Sequence, residues 1–147
     1  MIRLKNLGEP DLFMFQVPGL LATGTNKDCI VIPFSGFLKG IFAAFGNAGV
    51  PTTSNASLDI KQNGTSIFSA TPNGIVFPFA SPSRFQGSNS ALTSDPLPVT
   101  AGDVFSLDAV QYGGGTQPTN LAVALVFTRR ISPVAATLFG DLQLDAD

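Results

Sequence analysis

The sequence predicts an all-β domain, a jelly-roll or related Greek-key β-sandwich of about eight strands. Three observations carry that prediction. Ser57–Ala70 (SLDIKQNGTSIFSA) reads as two strands joined by Asn63-Gly64. A two-residue type I′ turn needs positive φ at both positions, which Asn tolerates and Gly adopts freely. Val99–Val110 (VTAGDVFSLDAV) reads as a Thr-Ala-Gly-Asp turn feeding an alternating strand. The rest of the chain falls into short apolar runs divided by Gly, Pro, Asn and Ser, with no sustained helical period.

Taken in order, residues 1–10 form an N-terminal arm, residues 11–130 the sandwich and residues 131–147 a C-terminal extension. Asp11–Val17 (DLFMFQV) has strand composition and is closed by Pro18-Gly19. Leu20–Ala22 is a short extended piece before the turn Thr23–Asn26, and Asp28–Phe34 is the next strand. Phe37–Phe45 (FLKGIFAAF) suits either period, but Gly36, Gly40 and Gly46 argue for a strand. In the Asn-Gly hairpin, Gln62 pairs with Thr65 and Ile60 lies opposite Ile67 on the core side. Asp59 and Lys61 then point to a solvated face, and the same register sets Phe68 beside Asp59 as a ring that is an interface candidate unless a loop or another strand covers it. Gly74–Ala80 is a short apolar strand whose Pro78 suits an edge or a bulge. Ser81–Pro96 is the longest loop, either a binding loop, since long surface loops are where binding chemistry tends to reside, or a connection crossing from one sheet to the other. Asp103–Tyr112 alternates with Phe105, Leu107 and Ala109 on one face. After Gly113–Thr119, Leu121–Thr128 is apolar on both faces, so its sheet is covered on both sides, within the fold or by a neighbouring subunit.

Composition limits what such a domain can do. The chain has 147 residues, 44% of them hydrophobic and only 12% charged, against roughly 25% charged in an average soluble domain. Thirteen Phe stand beside one Tyr and no Trp, a surplus that points to a subunit interface as well as a core. The net charge is −2 and the basic residues are scattered, so no counterion-releasing stripe for nucleic acid exists. No run approaches the ~18 apolar residues of a membrane-spanning helix. Met1–Gly8 carries Arg3 and Lys5, but Leu12–Val17 is too short for the core of a secretion signal.

Candidate chemistry is equally sparse. There is no histidine, which removes the commonest general base and metal ligand. The single cysteine, Cys29, sits in the apolar run Cys29–Ile32 and reads as a buried structural thiol, consistent with folding in a reducing cytoplasm. Asp103 and Asp108 are separated by an odd number, so a regular strand points them to opposite faces, and Asp103 already has a turn role. No calcium loop or phosphate-cradling Gly-rich motif is present. The expectation is a protein without catalytic residues, metal or cofactor.

Several pieces resemble a small jelly-roll domain of tailed-bacteriophage virion proteins. They are Val17-Pro18-Gly19-Leu20, Ile32-Pro33-Phe34-Ser35-Gly36, Phe42-Ala43-Ala44 before Gly46–Gly49, Asp59–Phe68, Val99–Val104 and Leu121–Phe127. They span about residues 11–128 in the family's order; the segment after Arg130 departs from the pattern. The resemblance implies an accessory structural protein, usually a homotrimer, that cements or decorates a capsid or sits in a tail fibre. The leading expectation is a capsid cement protein on the virion surface, partnered by itself and by the major capsid protein. Phe68, Leu138, Phe139, Leu142 and Leu144 are the expected assembly residues. The alternative is a tail-fibre module that recognises a host surface glycan through loops carrying Arg84 and Tyr112.

Overall fold

The computed structural model describes residues 10–47, 55–69, 74–77, 88–89, 91–111 and 115–130. Ten strands occur among them: β1 (Asp11–Leu20), β2 (Gly24–Val31), β3 (Gly36–Asn47), β4 (Ala56–Gln62), β5 (Thr65–Ser66), β6 (Ile75–Phe77), β7 (Ser88–Asn89), β8 (Leu97–Val99), β9 (Val104–Gln111) and β10 (Thr119–Arg129). No described residue is helical. The N-terminal arm up to residue 9 and the C-terminal extension lie outside the described residues.

The strands form two antiparallel sheets. Sheet A runs β1-β10-β3-β8; sheet B runs β2-β9-β4-β6-β7, with β5 paired to β4. Setting aside the two-residue strands β5 and β7 leaves eight. Numbered along the chain, these eight give the orders 1-8-3-6 and 2-7-4-5. The chain therefore crosses repeatedly between layers, and the sandwich is a jelly roll.

Alternation fills the space between the sheets. Phe15, Leu38, Ile41, Phe45, Leu121, Val123, Leu125 and Phe127 point inward from sheet A; Leu58, Ile60, Ile75, Phe77, Phe105 and Leu107 meet them from sheet B. Phe127 is the hub, with edge-on contacts to Phe13 (5.7 Å), Phe34 (6.1 Å) and Phe105 (5.6 Å). Edge-to-face rings at these separations add attraction beyond the area they bury. Of the ten described Phe residues, seven are buried and only Phe42 is exposed, so the Phe surplus serves mainly the core.

Local signals acted largely as expected. Asn63 and Gly64 take φ of 50° and 87°, and Gln62 pairs with Thr65. Phe37–Phe45 lies within the long strand β3. Pro18-Gly19 does not end β1: the register shifts between Val17 and Leu20, Gly19 adopts φ 76°, and its N–H donates to Asn120 Oδ1 at 2.9 Å. The Thr23–Asn26 turn is partly strand, because β2 begins at Gly24 and absorbs Asn26 (φ 50°) as an irregularity. Part of the Ser81–Pro96 loop is strand as well, since β7 pairs with β6.

Three exposure expectations are corrected. Phe68 is buried, at 1% exposure. Ile67 N–H still donates to Ile60 O at 3.0 Å, as the hairpin register predicts; beyond it the chain leaves β4, and residues 67–69 pair with 91–93 through Thr93 N–H to Ile67 O, Ser69 N–H to Ala91 O and the Phe68–Leu92 bridge. The Phe68 ring then rests on Gly74, where any Cβ would overlap it. Asp59 is also buried, at 2%, so the far face of β4 is not solvated there. Cys29 is exposed: it falls on the side of β2 opposite to Asp28 and Ile30, which are half-buried.

Candidate assembly interface

Three strands of sheet A are apolar on both faces, and their outer face carries three of the six large hydrophobic side chains that are exposed among the described residues. Register aligns it in three rows: Leu12–Val126–Gly40, Met14–Ala124–Phe42 and Gln16–Ala122–Ala44. Gln16 is the one polar side chain of the nine. Leu12 is 61% exposed, Met14 42% and Phe42 64%, while the alanines and Val126 are half-buried. A single exposed apolar residue needs no explanation, but a contiguous patch is a candidate contact surface.

Relief on this face comes from the alternation of large and small residues. Gly40 leaves open the spot over which the Phe42 ring lies; a Cβ there would sit 3.3 Å from Phe42 Cε2. Beside that ring, Met14, Phe42, Ala43, Ala44, Ala122 and Ala124 line a shallow cavity of about 220 Å³. The register shift between Val126 and Phe127 turns Lys39 outward at the edge of the patch. Lys39 Nζ and Arg130 Cζ lie 5.9 Å and 5.0 Å from the centre of the Phe37 ring. Charge is thus present at the rim and absent from the middle.

Sheet B shows the reverse arrangement on its outer face, polar but buried. Asp59 and Asp108 lie directly opposite each other on β4 and β9, at 2% and 5% exposure, with Ser57 and Ser106 buried beside them. Lys61 Nζ is 2.7 Å from Asp108 Oδ2, and Asp108 Oδ1 accepts from the Asn26 N–H at 2.8 Å. The Ser66 hydroxyl donates to Asp59 Oδ1 at 2.6 Å. Burial pushes the Asp59 carboxyl above its ordinary range, Ser66 and Lys61 pull against that rise, and the Asp108 charge adds to it. The hydrogen bond and charge of Asp108 hold the Lys61 ammonium more firmly protonated than usual. Every charged group here has a partner, so the cluster reads as a structural network. No group of three or more His, Cys, Asp or Glu able to hold a metal occurs among the described residues.

At one end of the sandwich, Asp103 ties two turns together. Its carboxylate accepts from Gln62 Nε2 (2.7 Å), Asn63 Nδ2 (2.9 Å) and the Thr100 N–H (2.8 Å). The Val104 N–H donates in return to Asn63 Oδ1 at 2.9 Å. Partial burial opposes ionisation of Asp103, but these donors outweigh it and hold the carboxyl below its ordinary range.

Of the residues expected to carry assembly or binding, Phe68 belongs to the interior. Leu138, Phe139, Leu142, Leu144, Arg84 and Tyr112 lie outside the described residues. Leu12, Met14 and Phe42 were not anticipated, although the two-faced apolar pattern of β10 was. The same doubled pattern is present in DLFMFQV and FLKGIFAAF, and pairing those runs with β10 would have located the patch. No family model, curated protein or solved structure matches this chain.

Proposed function

We propose that this chain is a homo-oligomeric structural protein, a trimeric cement or decoration protein of a bacteriophage capsid. The observation that carries the proposal is the outer face of sheet A, apolar at its centre, charged only at its rim and uncovered by the described chain. A binding module working as a soluble monomer has no use for Leu12, Met14 and Phe42 side by side in water. At ~25 cal/mol per Å², burying them favours a lasting contact. The order of the motifs along residues 11–128, set on a jelly roll, supports the virion role. Three copies would then present repeated contacts to the shell, so that release requires all of them to part together.

The test is absolute mass by light scattering after size exclusion, followed by sedimentation with empty capsids of the encoding phage. A mass near three times the 15.3 kDa chain and co-sedimentation with shells are the expected results. A monomer at micromolar concentration overturns the oligomeric reading. A trimer that ignores capsids and binds host cells replaces the cement role with the tail-fibre one.

A further inference from the structure

We infer that Phe42 is the knob, and the Ala44–Ala122–Ala124 cavity beside it the hole, of a contact between two copies of this chain. The inference rests on the oligomeric reading above and adds to it the residues that make the contact. A cavity of about 150 Å³ holds a benzene molecule, so the cavity of about 220 Å³ beside Phe42 has room for a phenyl ring. Its lining is the methyl groups of Ala44, Ala122 and Ala124, the Met14 thioether chain, the backbone at Ala43 and one side of the Phe42 ring, an apolar surface that offers contact to a further ring. The chain itself supplies a matching group on the same face: Phe42, 64% exposed and held over Gly40 rather than over the alanines.

Size and charge both fit a second copy as the occupant. Strands β1, β10 and β3 run 10–12 residues. At ~3.3 Å per residue and ~4.8 Å between strands, their outer face spans about 500 Å² in projection. That is the greater part of the roughly 800 Å² per partner of a standard stable interface. Lys39 and Arg130 stand at one rim, so burying this face against neighbouring copies around a ring brings no like charges to its centre. A face with no charge of either sign at its centre carries nothing to select an oppositely charged partner. Knob and hole lie side by side, so each ring must enter a neighbour's cavity rather than its own.

Two variants test this on the full chain. Phe42→Asp places a charge at an exposed position, leaves the interior packing intact and is expected to weaken self-association at least 100-fold by light scattering across a dilution series. In a Cys29→Ser background, the single-cysteine proteins Phe42→Cys and Ala124→Cys are mixed and oxidised. They are expected to give the mixed disulfide between copies in clear excess over a Lys27→Cys control. A wild-type oligomer that survives Phe42→Asp and yields no such excess overturns the knob-and-hole contact while leaving the oligomeric reading standing. A wild-type monomer overturns both.

Discussion

Replacing Asp103 by Ala should expose how much of this sandwich depends on one turn. The carboxylate accepts three hydrogen bonds of 2.7–2.9 Å, from Gln62, Asn63 and Thr100, joining the β4–β5 hairpin to the β8–β9 turn. Charge-assisted bonds contribute about 1.5–3 kcal/mol each when dry. Asp103 is half-buried, so water replaces part of each bond and about 1 kcal/mol apiece is the appropriate scale. Asp103→Ala is therefore expected to cost about 2–3 kcal/mol, lowering a urea midpoint by about 1–2 M at fixed protein concentration. The pH dependence is the sharper check. The folded carboxyl titrates below its unfolded value, so its stabilisation is fully present above about pH 4 and is lost as pH falls through the folded pKa. The gap between wild type and variant should hold from pH 7 to about pH 4 and close below it. Asn63→Gly keeps the positive φ and removes only the amide, and a double-mutant cycle with Asp103→Ala should show coupling above about 0.5 kcal/mol. A gap that is under ~0.5 kcal/mol, or unchanged down to pH 2.5, would refute the reasoning.

Other perturbations follow from the same geometry. Asp59→Asn should raise stability at pH 7 by about 1 kcal/mol, the low end for replacing buried charge. A folded pKa above the unfolded one means that wild type loses stability as pH rises through it, so the advantage of Asn should vanish below about pH 4 in acid titrations of unfolding. Lys61→Met leaves the Asp108 carboxylate buried without its cation and should cost about 2–3 kcal/mol in urea unfolding, reduced from the fully buried case because Lys61 is 31% exposed. Gly74→Ala forces a methyl group into the Phe68 ring and should cost about 1–3 kcal/mol by thermal unfolding; an unchanged midpoint would contradict that packing. Cys29 should react with a maleimide in the native protein at a rate close to that in urea, because the thiol is exposed.

Local chemistry made the fold class legible. Asn63-Gly64 has few alternatives to a tight turn, and the alternation of Leu121–Phe127 left one face to the core. What escaped was the outcome of contacts distant in sequence. Phe68 lies on the wet side of its hairpin only if that hairpin continues, and the strand instead switches partner to residues 91–93. Nothing within SLDIKQNGTSIFSA encodes that switch; the missing side chain of Gly74 is half of the explanation and lies outside the hairpin. Cys29 was misplaced for a related reason. An apolar run of four marks a strand but not which of its residues face in, and β2 has a register irregularity between Gly24 and Asp28 just before that run. The apolar outer face was half legible: β10 declared a second apolar face, but β1 and β3 had to be set beside it before Met14, Ala124 and Phe42 became one row.

The two outer faces together account for the low charge of the chain. An ordinary sandwich alternates apolar-in and polar-out on both sheets, and its outer positions supply much of its Lys and Glu. Here sheet A places alanine, valine, methionine and phenylalanine outside, where charges would oppose contact with another surface. Sheet B does place serine, aspartate and lysine outside, but at Ser57, Asp59, Ser106 and Asp108 those groups are buried and each charge must be matched locally. Neither face can carry many unpaired charges, which is why 12% suffices for a folded chain of this length. The two shortfalls have different consequences. On the oligomeric proposal, adding charge at Phe42 should release subunits while the sandwich keeps its stability, whereas removing it at Lys61 should lower that stability by about 2–3 kcal/mol. A chain whose low charge served solubility or folding alone would respond to both changes through stability, so the separation of these two responses is what distinguishes a surface built for assembly from a core that reaches the surface.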